Sequence, residues 1–218
     1  LIALQQRRAA AARALAARHT TEAPRVAIGI DLSPLWRLVV GHGEDTVHET
    51  GLSMSPTYGV PIIPGSSLKG LAARSAKRTE LIRVCGAPRP RPDEPTGTAD
   101  TNESAQRGTV TITDALPLTP PRLVVDVLTP HVATYYQYFQ NTRREGPPPA
   151  PAEYHQPIPV HFLAVQDTTF RSWLIGPPDD VHLMIDWITS GADDRGLGGK
   201  TAAGYGYCTV HSVDAGAP

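Results

Sequence analysis

Near its C-terminal end the chain reads RGLGGKTAAGYG, residues 195–206, with Lys200 and Thr201 standing behind Gly198 and Gly199. An ammonium and a hydroxyl beside glycines whose amides can turn outward are the parts of a phosphate-binding loop. A nucleoside-triphosphate loop needs the pattern GxxxxGK[ST] between a strand and a helix. Here the required first glycine is Asp194, whose charge repels phosphate, and the residues that follow, AAGYGYCTV, read as a glycine-broken strand. The triphosphate reading therefore fails. Gly196, Gly198, Gly199, Gly204 and Gly206 still permit positive φ and close backbone approach. Two readings remain: a tight connection packed against the first helix, or a contact to a phosphodiester backbone with Tyr205 and Tyr207 as stacking faces. The second is preferred.

A second segment carries matching chemistry. In YGVPIIPGSSLKG, residues 58–70, Pro64 and Gly65 open a helix whose free amides attract anions. Ser66, Ser67 and Lys69 fall in its first turn, followed by Gly70, and Arg74, Lys77 and Arg78 continue a basic face. The competing reading is a well-capped surface helix with solvated charges. Of the 20 basic residues, Lys69, Lys77 and Lys200 are the lysines, and two of these three lie in glycine-flanked motifs.

Chemistry that would cut a phosphodiester is not apparent. His42, His48, His131, His155 and His161 are scattered, without HxH or HxxxH spacing, and His161 is expected to be a partly buried strand histidine. Asp126 points either to solvent or into a groove, and Asp193 and Asp194 read as surface acids capping the loop. No catalytic residues, metal site or cofactor are expected. Cys85 and Cys208 lack a CxxC partner and read as two reduced, partly buried thiols.

The elements that must position these residues follow from composition and pattern. A chain of 218 residues with 40% hydrophobic and 19% charged residues suffices for one large domain or two small ones. No apolar run approaches the roughly 20 residues that span a membrane. Net charge is −1, yet residues 1–92 carry 13 basic against 6 acidic residues, and residues 93–218 carry 7 against 15. That asymmetry suggests one face for an anionic partner and another for a protein neighbour. Residues 1–20 form a basic helix on propensity. RVAIGIDL (25–32) alternates as a first strand, with LWRLVVG (35–41) a possible hairpin partner through a turn near Ser33-Pro34. One basic amphipathic helix is expected from Ser66 to Gly86. Strands are expected at 108–117, 122–130 and 158–165, the last forming a hairpin with the segment ending at 176. A short helix over 179–191 should end at its glycine, before a last strand in YGYCTVHSV. Proline-rich stretches mark insertions at about 86–108 and 131–157. This order suits an α+β, modified ferredoxin-like (RRM-like) βαββαβ core over 21–213, with a glycine-rich C-terminal loop, a thumb-like insertion and a tail at 214–218.

YGVPIIPGSSLKGLAAR, followed much later by GLGGKTAAGYG, resembles the RAMP superfamily of type III CRISPR effector subunits over roughly residues 36–210. With LVVDVLTPHVATYYQ and PIPVHFLAV, the resemblance is strongest to the sixth-subunit branch of the Cmr-type (type III-B) effectors. It implies a non-catalytic, cytoplasmic subunit that grips guide (CRISPR) RNA near its 3′ end and contacts target RNA, beside backbone and small subunits, with no membrane. It assigns guide-backbone binding to Gly65, Ser66, Ser67, Lys69 and Gly70, and matches Gly196, Gly198, Gly199, Lys200, Thr201, Gly204 and Gly206 to the loop. His131, Tyr135 and Tyr136 match a thumb-like contact or packing segment. The alternative on the same core is an endoribonuclease processing CRISPR RNA, for which His131 and Asp126 are the residues to test.

Overall fold

The computed structural model describes residues 1–18, 24–41, 51–87, 106–129, 133–140, 146–150 and 159–214. Its central sheet is built on β1 (Val26–Pro34), where β-branched and apolar residues alternate. β1 lies between β6 (Phe170–Gly176) and β7 (Cys208–Asp214), antiparallel to both. Two short strands, β2 (Thr111–Ile112) and β3 (Leu116–Pro117), pair with the far edge of β6, giving the order β2-β6-β1-β7. A separate two-stranded ribbon joins β4 (Arg122–Leu128) to β5 (Val160–Gln166), also antiparallel.

The period of two along β1 and β6 divides their side chains between two helical layers. Ile30, Leu32, Phe170 and Leu174 face α2 (Gly65–Ala73) and α5 (Pro178–Asp194), where Leu68, Leu71, Val181, Met184 and Ile188 complete the main core. Ala27, Trp173 and Ile175 face the other way, onto Ala12 and Ala16 of α1 (Ile2–Ala17). Gly29 is needed under that layer, because a Cβ there would come within 3.3 Å of the Trp173 ring. The α1 helix is further fixed by Gln5, whose amide donates to the Leu116 and Pro117 carbonyls, and by Arg8, which donates to the Arg171 carbonyl.

Several expectations are corrected. The segment after β1 does not fold back as its hairpin partner: Leu38 exchanges two backbone bonds with Val165 of β5. The helix expected from 66 to 86 is two, α2 and α3 (Arg78–Cys85), with Arg74 closing the first and Lys77 opening the second. Arg74 closes α2, and the chain turns through Ser75 and Ala76, the latter packed against the main core, before α3 carries Val84 into it. The strand expected over 108–117 is split at Asp114, where Ala115 leaves β6 to pair with Ile63.

β5 and β6 are not a hairpin but neighbours in sequence that belong to different sheets; Asp167 at φ 56° turns the chain between them. Finally, α5 runs through Gly191 to Asp194. Gly191 is not a stop signal but a contact point, since a Cβ there would lie 2.8 Å from Leu71 Cγ of α2.

Two ion pairs join the basic first half of the sequence to the acidic second half. Arg37 pairs with Asp126 and Arg83 with Asp180, each a base from the first half against an acid from the second. Both cysteines are free thiols: Cys208 is buried and Cys85 lies 3.8 Å from the Met184 sulfur. Burial pushes the Cys208 thiol up to about 12, so it stays protonated. No described helix is long and apolar enough to cross a membrane.

Candidate nucleic-acid interface

The loop between α5 and β7 is held by the segment that follows β1. Leu35 donates to the Tyr207 carbonyl, Gly206 to the Arg37 carbonyl and Gly199 to the Val39 carbonyl, at 2.7–2.8 Å. Within the loop Leu197 donates to the Gly206 carbonyl, and Thr201–Ala203 form one 3-10 turn. This geometry explains two of the glycines. At φ 86° a Cβ on Gly198 would overlap the Val39 carbonyl, and at φ 77° one on Gly206 would overlap the Leu197 carbonyl. The glycine spacing thus serves close packing first, and the amides of Gly199 and Gly206 are spent inside the protein. Lys200 itself takes the left-handed conformation, φ 59°, one of two described non-glycine residues at positive φ.

Beneath the loop lies a cluster of aromatic and charged groups. The Tyr205 hydroxyl donates to Asp126 Oδ2 at 2.5 Å, and Arg37 pairs with the same carboxylate. The Tyr205 hydroxyl, and then Arg37, hold the Asp126 carboxyl below the usual carboxylate range. Burial, reinforced by that carboxylate, raises the Tyr205 phenol to about 12. The Tyr205 ring meets Phe162 and Trp36, with centroids 5.7 and 4.9 Å away, and Lys200 Nζ sits 4.7 Å from the centre of the Phe162 ring. Tyr205 is only 5% exposed, so the stacking role expected of it is corrected: its ring supports the loop from below. Tyr207, half-buried, precedes β7. Asp126, partly buried, anchors this cluster.

The two motifs meet. Ser67, Gly70, Leu71 and Arg74 of α2 and its C-terminus face Gly196, Leu197 and Gly198 across a cleft of about 270 Å³. The extreme N-terminus of α2 is not open to an anion, because the Gly65 amide already donates to Asp114 Oδ1 at 2.8 Å. Ser66 lies on the exposed side, and Lys69 turns to a second cleft of about 490 Å³ that also borders Gly70, Cys85 and Arg107. Lys77 and Arg78 are exposed, but the break between α2 and α3 removes the single continuous basic face expected of them. Gly70 differs from Gly196, Gly198 and Gly206 of the loop: a Cβ there would touch nothing within 4 Å.

Two of the remaining expected residues lie away from this cleft. Tyr135 and Tyr136 lie on α4 (Ala133–Gln140), where Tyr135 packs edge-on against Tyr136 and Phe139. His131 lies outside the described residues, as do His42, His48 and His155. His161, expected partly buried, is exposed on the outer face of the ribbon opposite Val127. Among the described residues no three His, Cys, Asp or Glu side chains come together as a metal site. Sequence reasoning missed Trp36, Arg37 and Phe162. For the first two the signal was an aromatic next to a cation, Trp36-Arg37, directly after the turn near Ser33-Pro34.

Antiparallel sheets, helices on both faces of the larger one, and a glycine-rich loop locked beside the first core helix define a mixed α+β domain. The sequence model of the RAMP superfamily matches residues 32–209, and the chain belongs to that superfamily. A curated relative, the CRISPR system Cmr subunit Cmr6 of Pyrococcus furiosus, is 26% identical over 78% of this chain and 64% of its own length. The chain thus spans just under two thirds of that relative. A chain in the cryo-EM structure of the Type III-B Cmr-beta bound to cognate target RNA superposes with a TM-score of 0.61 at 22% identity, covering 88% of this chain and 61% of that one. The crystal structure of Cmr6 from Pyrococcus furiosus gives a TM-score of 0.47 at 24% identity, covering 86% and 98%.

Proposed function

We propose that this chain is a non-catalytic RNA-binding subunit of a type III-B CRISPR–Cas effector, working in the cytoplasm with other Cmr-type subunits. On this reading it holds guide RNA near the 3′ end and contacts target RNA. The observation that carries it is the cleft that brings Ser67, Gly70 and Arg74 against Gly196 and Gly198, with Lys200 on the same loop. A hydroxyl, a guanidinium and close-approach backbone on opposite walls suit a phosphodiester chain. The name of the Pyrococcus relative supports the assignment to a Cmr effector. Within the superfamily we read the core as ferredoxin-like, since β1, α2, β2, β6, α5 and β7 follow βαββαβ and the sheet order β2-β6-β1-β7 suits it. The basic helix 1–20 is then an addition to a single domain over 21–213.

A non-catalytic role is supported by the commitment to Tyr205 and Arg37 of Asp126, one of the two residues an endoribonuclease reading relies on. The test is guide-RNA binding and assembly of the complex with Lys200→Ala and Arg74→Ala. Both should weaken binding about equally for unrelated guide sequences and flatten the salt dependence, as loss of a phosphate contact requires. Loss confined to one guide sequence, or no loss from either variant, would refute the site. Discrete cleavage of repeat RNA by the isolated chain, abolished by His131→Ala, would favour the endoribonuclease.

A further inference from the structure

Trp36 stands on the surface beside the loop, 47% exposed, while the chain's other two tryptophans, Trp173 and Trp187, are 2% and 7% exposed. An indole left half in water normally gains nothing by being held still. Here it is held on every link of the chain around it. The backbone of Leu35 and of Arg37 is bonded to the loop at Tyr207 and Gly206, on either side of Trp36. The Arg37 guanidinium lies 4.8 Å from the indole centre, and is itself fixed by Asp126 and by Gln166 Oε1 at 3.3 Å. The Tyr205 ring backs the indole at 4.9 Å, tilted by 36°. Through Tyr205 and Phe162 the same aromatic cluster carries Lys200. A fixed, half-exposed indole flanked by a guanidinium, sharing one rigid base with a loop cation, is the arrangement that captures a base and its phosphate together.

We propose that Trp36 is a stacking platform for one unpaired nucleobase of a single-stranded RNA. The proposal rests on the RNA-binding reading and adds to it a base contact, where the cleft supplies contacts to the backbone. Stacking of this kind is tolerant of base identity, because every base has a π face. It therefore suits a protein that must accept many RNA sequences.

The test uses the full chain and two labelled oligoribonucleotides of equal length, one carrying bases and one abasic. Because Trp36 is the exposed tryptophan, the base-bearing RNA should quench intrinsic fluorescence and the abasic RNA should not. By anisotropy, Trp36→Ala should lose roughly ten-fold or more in affinity for the base-bearing RNA and should then bind the two RNAs alike. Trp36→Phe should keep part of the difference and guards against a folding defect in the alanine variant. Lys200→Ala should weaken both RNAs. If Lys200→Ala weakens binding while Trp36→Ala does not and fluorescence stays unchanged, stacking is wrong and the RNA-binding reading stands. If the wild-type chain binds neither RNA at low salt, both fall. If Trp36→Ala spares RNA binding but blocks assembly with neighbouring subunits, Trp36 is a protein contact and the proposal is overturned.

Discussion

Gly70 and Lys200 state the chemistry of the site in opposite ways. A glycine inside a helix is less favourable than alanine by about 0.5–1 kcal/mol, and at position 70 no neighbour requires it. Gly70→Ala should therefore raise the melting temperature of the isolated chain while lowering its affinity for RNA, because the added methyl projects between the two clefts. A melt and a binding titration on the same sample decide it; an unchanged affinity would remove Gly70 from the interface. Asp126 and Tyr205 give a prediction in pH. The lowered Asp126 carboxyl contributes stability above the ordinary carboxylate pKa of about 4, and that contribution is lost as pH falls through the folded value. The raised Tyr205 phenol contributes below about pH 10, and its contribution is lost as pH rises toward about 12. Urea midpoints measured from pH 2 to 5 should fall more steeply for wild type than for Asp126→Asn. Equal slopes would mean that the aromatic cluster does not depend on this carboxylate.

At the scale of elements, the loop and the segment after β1 act as one unit. Gly206 combines a positive φ with an overlap at the Leu197 carbonyl, whereas Gly204 has a positive φ and open space. Gly206→Ala should cost more than Gly204→Ala, which carries only the left-handed strain of about 1–2 kcal/mol. Differential scanning calorimetry on the two variants ranks them, and the reverse order would mean the loop relaxes away from residues 35–39. The pairing of α2 with α5 predicts a similar sensitivity. Gly191→Val should separate the helices at Leu71 and, with it, open the cleft, so stability and RNA affinity should fall together.

At the scale of the molecule, α1 decides what the second face of the sheet becomes. Trp173 and Ile175 are 2% exposed because Ala12 and Ala16 cover them. Removing residues 1–18 would return that apolar face to water, at about 25 cal/mol for each Å² exposed. The truncated chain should unfold at lower denaturant and show red-shifted tryptophan emission before unfolding. An unshifted spectrum would mean α1 is dispensable to the sheet. The outer face of the β4–β5 ribbon remains exposed in the chain, with Val125 at 66%.

Local pattern determined much of this protein. Periodicity and residue type placed β1, β4 and β7, amphipathic spacing marked the segments of α2 and α5, and glycine-flanked motifs marked both walls of the cleft, because each of these is a property of neighbours along the chain. Tertiary structure alone decided which strands pair. β5 was drawn away from β6 because Phe162 and Ala164 bury against Val39 and Tyr205, contacts between segments far apart in sequence. It also decided which glycines serve packing and which leave room, what covers the N-terminus of α2, and that Tyr205 is a support while Trp36 faces outward. Exposure depends on what packs above a residue, and no spacing along the chain encodes that.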